Sequence, residues 1–178
     1  MSTTPDPDLY DLGLPKGWRR VDIWIIRATE AVACLVGMTF TALITLEVAS
    51  RYLFNFSIFA INAATMFLLV WFFLLGAGLA LRLRAHVGFE LILAYLSPLL
   101  ARFTFVLAQA IVFIFFVAML WSGYRSLASA SRQVEAALQI SYFWVMLAFP
   151  VGFFLLIYHQ VTMFVAVMRR PMAAGPKP

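Results

Sequence analysis

An all-α membrane protein with four transmembrane helices is the fold class this sequence predicts, and three observations carry it. First, four long apolar runs, at residues 23–49, 58–81, 103–121 and 140–168, fill most of a chain of 178 residues. A hydrocarbon layer about 30 Å thick needs roughly 20 apolar residues to cross it, and each run reaches or approaches that length. Second, hydrophobic residues make up 64% of the chain and charged residues only 12%, about half the charged fraction of soluble domains. Third, the charges collect between the runs rather than inside them. Helices follow because lipid offers no partners to backbone N–H and C=O groups, so each crossing segment must satisfy its own. The runs are continuous and far longer than the roughly 10 residues of a barrel strand, which excludes a transmembrane β-barrel.

Short connections leave room for one folded unit. The sequence divides into a mobile N-terminal tail at 1–15, a single four-helix transmembrane domain at 16–170 and a C-terminal tail at 171–178. Lys16, Arg19, Arg20, Arg27, Arg82, Arg84, Arg102, Arg169, Arg170 and Lys177 fall on one side of the predicted spans; Arg51, Arg125 and Arg132 fall on the other. That asymmetry puts both termini in the cytoplasm, and an even number of spans agrees with it. The net charge of +5 is therefore read as an orientation signal, and no nucleic-acid partner is expected. Cys34 is the only cysteine, so neither an intramolecular disulfide nor a cysteine metal cluster can be built. The polar first 15 residues do not read as a secretory signal. Arg19-Arg20 precede a run of full span length rather than the shorter apolar stretch of an export signal.

Along the chain, residues 16–27 mix Trp18 and Trp24 with arginines, a composition suited to the headgroup layer. A helical segment is expected there, lying near the cytoplasmic interface and turning into the first span. Cys34, Gly37, Thr41 and Thr45 recur at helical spacing and form a face of small residues, read as ordinary helix packing. Glu30 near the cytoplasmic end faces Arg27 or reaches water. Glu47 and Arg51 are four residues apart and share a face at the far end of the span. They serve either as a contact point for another protein or as a local interfacial ion pair. In the second span Gly76 and Ala80 make a small-xxx-small pair. Arg82, Arg84 and a solitary His86 follow, without the second histidine that metal ligation needs.

Residues 89–96 are too short to cross and read as a short amphipathic helix lying flat on the cytoplasmic face. Pro98 then opens the third helix, where its missing N–H costs little. Gln109 is expected to hydrogen-bond to a neighbouring helix. Residues 123–139 read as a polar loop on the non-cytoplasmic side. The fourth run would measure roughly 43 Å as a helix, so it must tilt, kink or project. A bend is expected at Pro150, helped by Gly152. His159, with no partner acid in the sequence, is expected to bond to a neighbouring helix or reach the headgroups.

No paired histidines, phosphate loop, nucleophile elbow or zinc helix motif appears, so no enzyme activity, cofactor or metal is expected. Secondary transporters build their sites from broken helices and mid-membrane polar groups, and neither is prominent here. The pattern points to a subunit that supports another chain.

Three blocks then carry a resemblance. Glu47-Val48-Ala49-Ser50-Arg51-Tyr52-Leu53-Phe54-Asn55-Phe56-Ser57-Ile58 resembles the first loop of the small membrane subunit of tripartite ATP-independent periplasmic (TRAP) transporters, with its Arg-Tyr-x-Phe-Asn signature. Val70-Trp71-Phe72-Phe73-Leu74-Leu75-Gly76-Ala77, followed by Arg82 and His86-Val87-Gly88-Phe89-Glu90, is similar to that family's second block. Ile140-Ser141 through Phe149-Pro150-Val151-Gly152 is similar to its last span. Two departures stand out. Phe59-Ala60-Ile61-Asn62-Ala63 replaces the tryptophan and glutamates common after Ser-Ile, and Glu90 stands where aspartate is usual.

The resemblance implies a non-catalytic small subunit of a sodium-coupled, binding-protein-dependent importer of organic acids in a bacterial inner membrane. Its implied partners are the large TRAP membrane subunit, which it scaffolds, and the periplasmic solute-binding protein, which it helps to dock. Glu47, Arg51, Tyr52 and Asn55 are the expected partner-binding residues. Arg82, Arg84, His86 and Glu90 are expected to order the cytoplasmic loop against phospholipid headgroups. The alternative is an autonomous four-span dimeric exporter using a membrane acid, Glu30 or Glu47.

Overall fold

The structure, a computed structural model, describes residues 16–84 and 98–169. The expected tails and the flat helix at 89–96 lie outside the described residues. The described chain runs α1 (Lys16–Phe54), α2 (Phe59–Arg84), α3 (Pro98–Ala130), a two-stranded hairpin of β1 (Val134–Glu135) and β2 (Ile140–Ser141), α4 (Phe143–Met146) and α5 (Ala148–Arg169). Four segments are long and apolar enough to span a bilayer: Gly17–Phe54, Phe59–Arg82, Leu99–Ala130 and Phe143–Ala166. The four-span fold class read from the apolar runs is the one observed.

Helix α1 departs from expectation at its start. The segment at 16–27 does not turn; it continues without a break into the span as one helix of 39 residues. No proline interrupts it, and Asp22 is drawn inward and almost fully buried. The hydroxyls of Thr29, Thr39, Thr41 and Thr45 each donate to the carbonyl four residues back, at 2.8–2.9 Å. Every one of these polar groups is thus satisfied inside the helix that carries it. At the other end Asn55 adopts a left-handed backbone with φ 55°, a conformation Asn tolerates better than most residues. Phe56 N–H reaches back to the Ser50 carbonyl at 3.4 Å, and the chain reverses into α2.

Helix α3 also runs further than predicted. Gly123 does not open a loop; the helix continues to Ala130, and only then does the chain form the hairpin. Val134 pairs with Ser141 and Glu135 with Ile140. The Glu135 carboxylate accepts from the N–H groups of Ala137 at 2.6 Å and Leu138 at 2.9 Å, which closes the turn. Gln139 supplies the left-handed residue, φ 55°. The fourth run is divided accordingly. Ile140 and Ser141 belong to a strand, and the helix is interrupted at Leu147 between α4 and α5. Pro150 explains that interruption, because it lacks the N–H that would bond Met146 O and its ring crowds that carbonyl.

The helices form a row rather than a closed bundle. The principal contacts are α1 with α2, α2 with α5 and α5 with α3. Burial follows that order: 44% of the α4–α5 span window is buried, against none of the α3 window. Glycines mark the close approaches. A Cβ on Gly152 would lie 2.7 Å from Leu74 Cβ, across the α5–α2 contact. One on Gly123 would lie 3.0 Å from Phe149 Cβ and 3.3 Å from Pro150 Cδ, across the α3–α5 contact. Small residues let backbones approach where lipid removes the hydrophobic drive.

The small face of α1 is only partly used in this way. Gly37 meets the ring of Phe72, but Cys34, Thr41 and Thr45 stay exposed. They floor an open groove of about 860 Å³. On α2, Gly76 has open space where a side chain would stand, and Gly78, not Ala80, packs inward, against His159.

Candidate functional site

Two polar clusters sit at opposite ends of the α1–α2 pair. The first is buried. Arg82, in the last turn of α2, forms a two-pronged ion pair with Asp22 in the second turn of α1. Its Nη1 donates to Asp22 Oδ1 at 3.3 Å, and its Nη2 donates to Asp22 Oδ2. The same Nη1 donates to Thr162 Oγ1 at 3.1 Å, and Tyr158 donates its hydroxyl to Asp22 Oδ1 at 3.2 Å. Three helices are thereby joined through one carboxylate. Asp22 is 1% exposed and Arg82 8%, so neither charge is left to water. The fork geometry matches guanidinium to carboxylate and leaves each charge compensated where solvent does not reach it.

This placement corrects the expected role of Arg82. It is turned into the protein, not toward headgroups, and its partner is Asp22. The Arg84 side chain, His86 and Glu90 lie outside the described residues. Asp22, Tyr158 and Thr162 were not singled out in the sequence. Register offered a misleading signal. Asp22 lies 32 residues before Phe54 and Arg82 lies 23 residues after Phe59, about 48 Å and 35 Å of helix. An even antiparallel pairing would have set Arg82 opposite residue 31, beside Glu30.

His159 adjoins this cluster. Its ring meets Tyr158 edge-on, with centroids 5.5 Å apart. The residue is fully buried, and neither ring nitrogen has a partner among the described residues. Among the described residues, the expected bond to a neighbouring helix is not found.

The second cluster is exposed. Glu47, Arg51, Tyr52 and Asn55 lie together on and just past the last two turns of α1. Arg51 Nη2 pairs with Glu47 Oε1 at 2.6 Å. The Arg51 side chain is 61% exposed while that of Glu47 is 12% exposed, so the pair presents its cationic member outward. Tyr52, Leu53, Phe54, Phe56 and Phe59, which follow Arg51 in the chain, are all exposed. Asn55 has a backbone task here, since its left-handed conformation ends the helix.

Level with the first cluster, Gln160, between Tyr158 and Thr162 on α5, donates to the Gln109 carbonyl of α3 at 2.8 Å. The expected interhelical bond of the Gln109 side chain is present only as a long one, with Gln160 Nε2 donating to Gln109 Oε1 at 3.4 Å; the shorter bond goes to the Gln109 backbone. Among the described residues no group of three or more His, Cys, Asp or Glu side chains is placed to hold a metal ion. The arrangement supplies clamps between helices and an exposed aromatic and aliphatic segment at the end of α1.

A family model matches this chain. Described as tripartite ATP-independent periplasmic transporters, DctQ component, it covers residues 40–170. No curated protein matches it significantly.

Proposed function

From the premise that this chain belongs to the DctQ component family of tripartite ATP-independent periplasmic transporters, we propose that it works as a non-catalytic scaffold for a larger transport subunit. As a member of that family with four spans, it is an inner-membrane transporter component. The observation that supports a bracing role is the row of helices. Its interior is a spine of α2 and α5, and the outer faces of α1 and α3 are left bare of described residues. A protein that formed its own solute pathway would need a polar cavity enclosed by its spans. Here Asp22, Arg82, Tyr158 and Thr162, and Gln160 with Gln109, join helices.

The fuller reading is a sodium-coupled importer of organic acids with both termini of this subunit in the cytoplasm. In that orientation Arg51, Tyr52 and the exposed segment at the end of α1 face the periplasm, where they assist the large membrane subunit and the solute-binding protein in meeting. Arg84, His86 and Glu90 then lie at the cytoplasmic surface, near phospholipid headgroups.

Reconstitution tests this. Liposomes holding the purified chain alone are expected to show no saturable organic-acid flux, and those holding the chain, the large subunit and the binding protein are expected to show sodium-dependent uptake. Saturable flux from the chain alone would overturn the scaffold reading.

A further inference from the structure

Helix α1 carries an outward stripe whose chemistry changes along its length. Arg20, Trp24 and Arg27 are exposed. Neither arginine has an ion-pair or hydrogen-bond partner among the described residues. Further along, Ala31, Leu35 and Met38 are exposed and apolar. At 3.6 residues per turn, these positions all stand within about 40° of the line opposite Asp22. Asp22 points into the protein, toward Arg82 and Tyr158, so the stripe points out of it.

The Asp22–Arg82 pair fixes the depth of the stripe. Arg82 closes the span Phe59–Arg82 of 24 residues, so it stands at the edge of the hydrocarbon, and Asp22 is level with it. Along the axis Arg20 lies about 3 Å further out, Trp24 about 3 Å further in and Arg27 about 7.5 Å further in. The headgroup layer is about 5–7 Å deep on each side. Tryptophan suits that boundary, and an arginine just inside it extends its guanidinium outward. An open groove of about 460 Å³ runs over Gly17, Arg20, Val21, Trp24 and Ile25. Gly17 has nothing within 4 Å of where a side chain would stand, which leaves the outer end of the groove clear.

Charge and depth together select the occupant. Arg20 and Arg27 are about 10.5 Å apart along the helix, close enough for both long side chains to reach one anion lying between them. The carboxylate of Asp22 is on the opposite face and committed to Arg82. A soluble anion would use the arginines and leave the apolar half of the stripe without a role. An apolar helix laid along the stripe would strand two cations. A lipid with an anionic headgroup answers to both halves at once.

We propose that this stripe of α1 is a site for an anionic phospholipid, whose phosphate lies between Arg20 and Arg27 beside the Trp24 indole and whose acyl chain runs over Ala31, Leu35 and Met38.

The full chain is reconstituted in phosphatidylcholine vesicles containing a lipid brominated at the headgroup end of its acyl chains, either phosphatidylglycerol or phosphatidylcholine. Bromine quenches indole fluorescence on contact, and the part of the quenching absent from Trp24→Phe belongs to Trp24. That part is expected to half-saturate at about thirtyfold lower fraction of phosphatidylglycerol than of phosphatidylcholine, because each arginine near the surface favours an anionic lipid about fivefold. Arg20→Gln and Arg27→Gln are each expected to reduce the preference about fivefold, and Arg20→Lys/Arg27→Lys to retain most of it. Excess glycerol phosphate is expected to displace nothing.

Equal quenching by the two lipids would overturn the site, as would a preference that survives loss of both arginines. Displacement by glycerol phosphate would assign the arginines to a soluble anion instead. Shielding of Trp24 from both lipids in the complex with the large subunit would make the stripe a protein contact. The comparison of the two lipids on the wild-type chain decides the matter even if an arginine variant fails to fold.

Discussion

At the scale of single residues, charge placement decides most of what is specific to this chain. Arg82 and Asp22 form a pair that neither can leave cheaply. Removing one partner of a buried ion pair costs about 3–5 kcal/mol, because the other charge is stranded, whereas replacing both with apolar residues is often close to neutral. Arg82→Ala and Asp22→Ala are therefore each expected to lower stability in detergent by about that amount, and the double variant Asp22→Leu/Arg82→Leu to recover much of it. Denaturant unfolding of the purified protein measures the difference. Additive losses in the double variant would show that the pair is not coupled. The exposed Glu47–Arg51 pair is of another kind. It is a helical i, i+4 pair with Arg51 largely in solvent, and such pairs are worth under about 1 kcal/mol. Its interest lies in what Arg51 presents outward.

At the scale of elements, the close approaches set which helices are neighbours. Gly152 faces Leu74 so closely that a methyl group there would sit 2.7 Å from Leu74 Cβ, an atom too near the α2 backbone to move aside. Overpacking of this kind costs about 1–3 kcal/mol, so Gly152→Ala is expected to destabilise by that order. Gly76, which has nothing within 4 Å of its would-be Cβ, provides the contrast. Gly76→Ala is expected to be neutral or to stabilise by up to about 1 kcal/mol, because Ala is the better helix former. Thermal unfolding of both variants in one detergent compares them, and equal losses would contradict the assigned contact. The elements also show where a sequence reading succeeds. The spans and the proline-led start of α3 follow from apolar length and from proline chemistry, both of which are local. The break in the fourth run follows from Pro150 and falls three residues ahead of it, since the lost bond belongs to the carbonyl four residues back.

At the scale of the whole molecule, the open row of helices leaves α1 and α3 facing lipid or a partner, and the distribution of basic residues proposes which way the row is inserted. Single cysteines test the orientation in a Cys34→Ser background. Ala137→Cys, in the hairpin turn, is expected to react with a membrane-impermeant maleimide added from the periplasm, and Gly17→Cys only after the membrane is opened. The reverse pattern would invert the proposed topology. The chain's sequence by itself determined the membrane as solvent, four spans, the helical character of each and the family resemblance, because all of these depend on local composition and on motifs contiguous in the chain. Tertiary structure alone decided that Arg82 answers to Asp22 rather than to a residue near Glu30, that Gln160 bonds to Gln109, and that the helices stand in a row. These depend on tilt, rotation and unequal helix lengths, which act over tens of ångströms and leave no periodic mark in the amino-acid order.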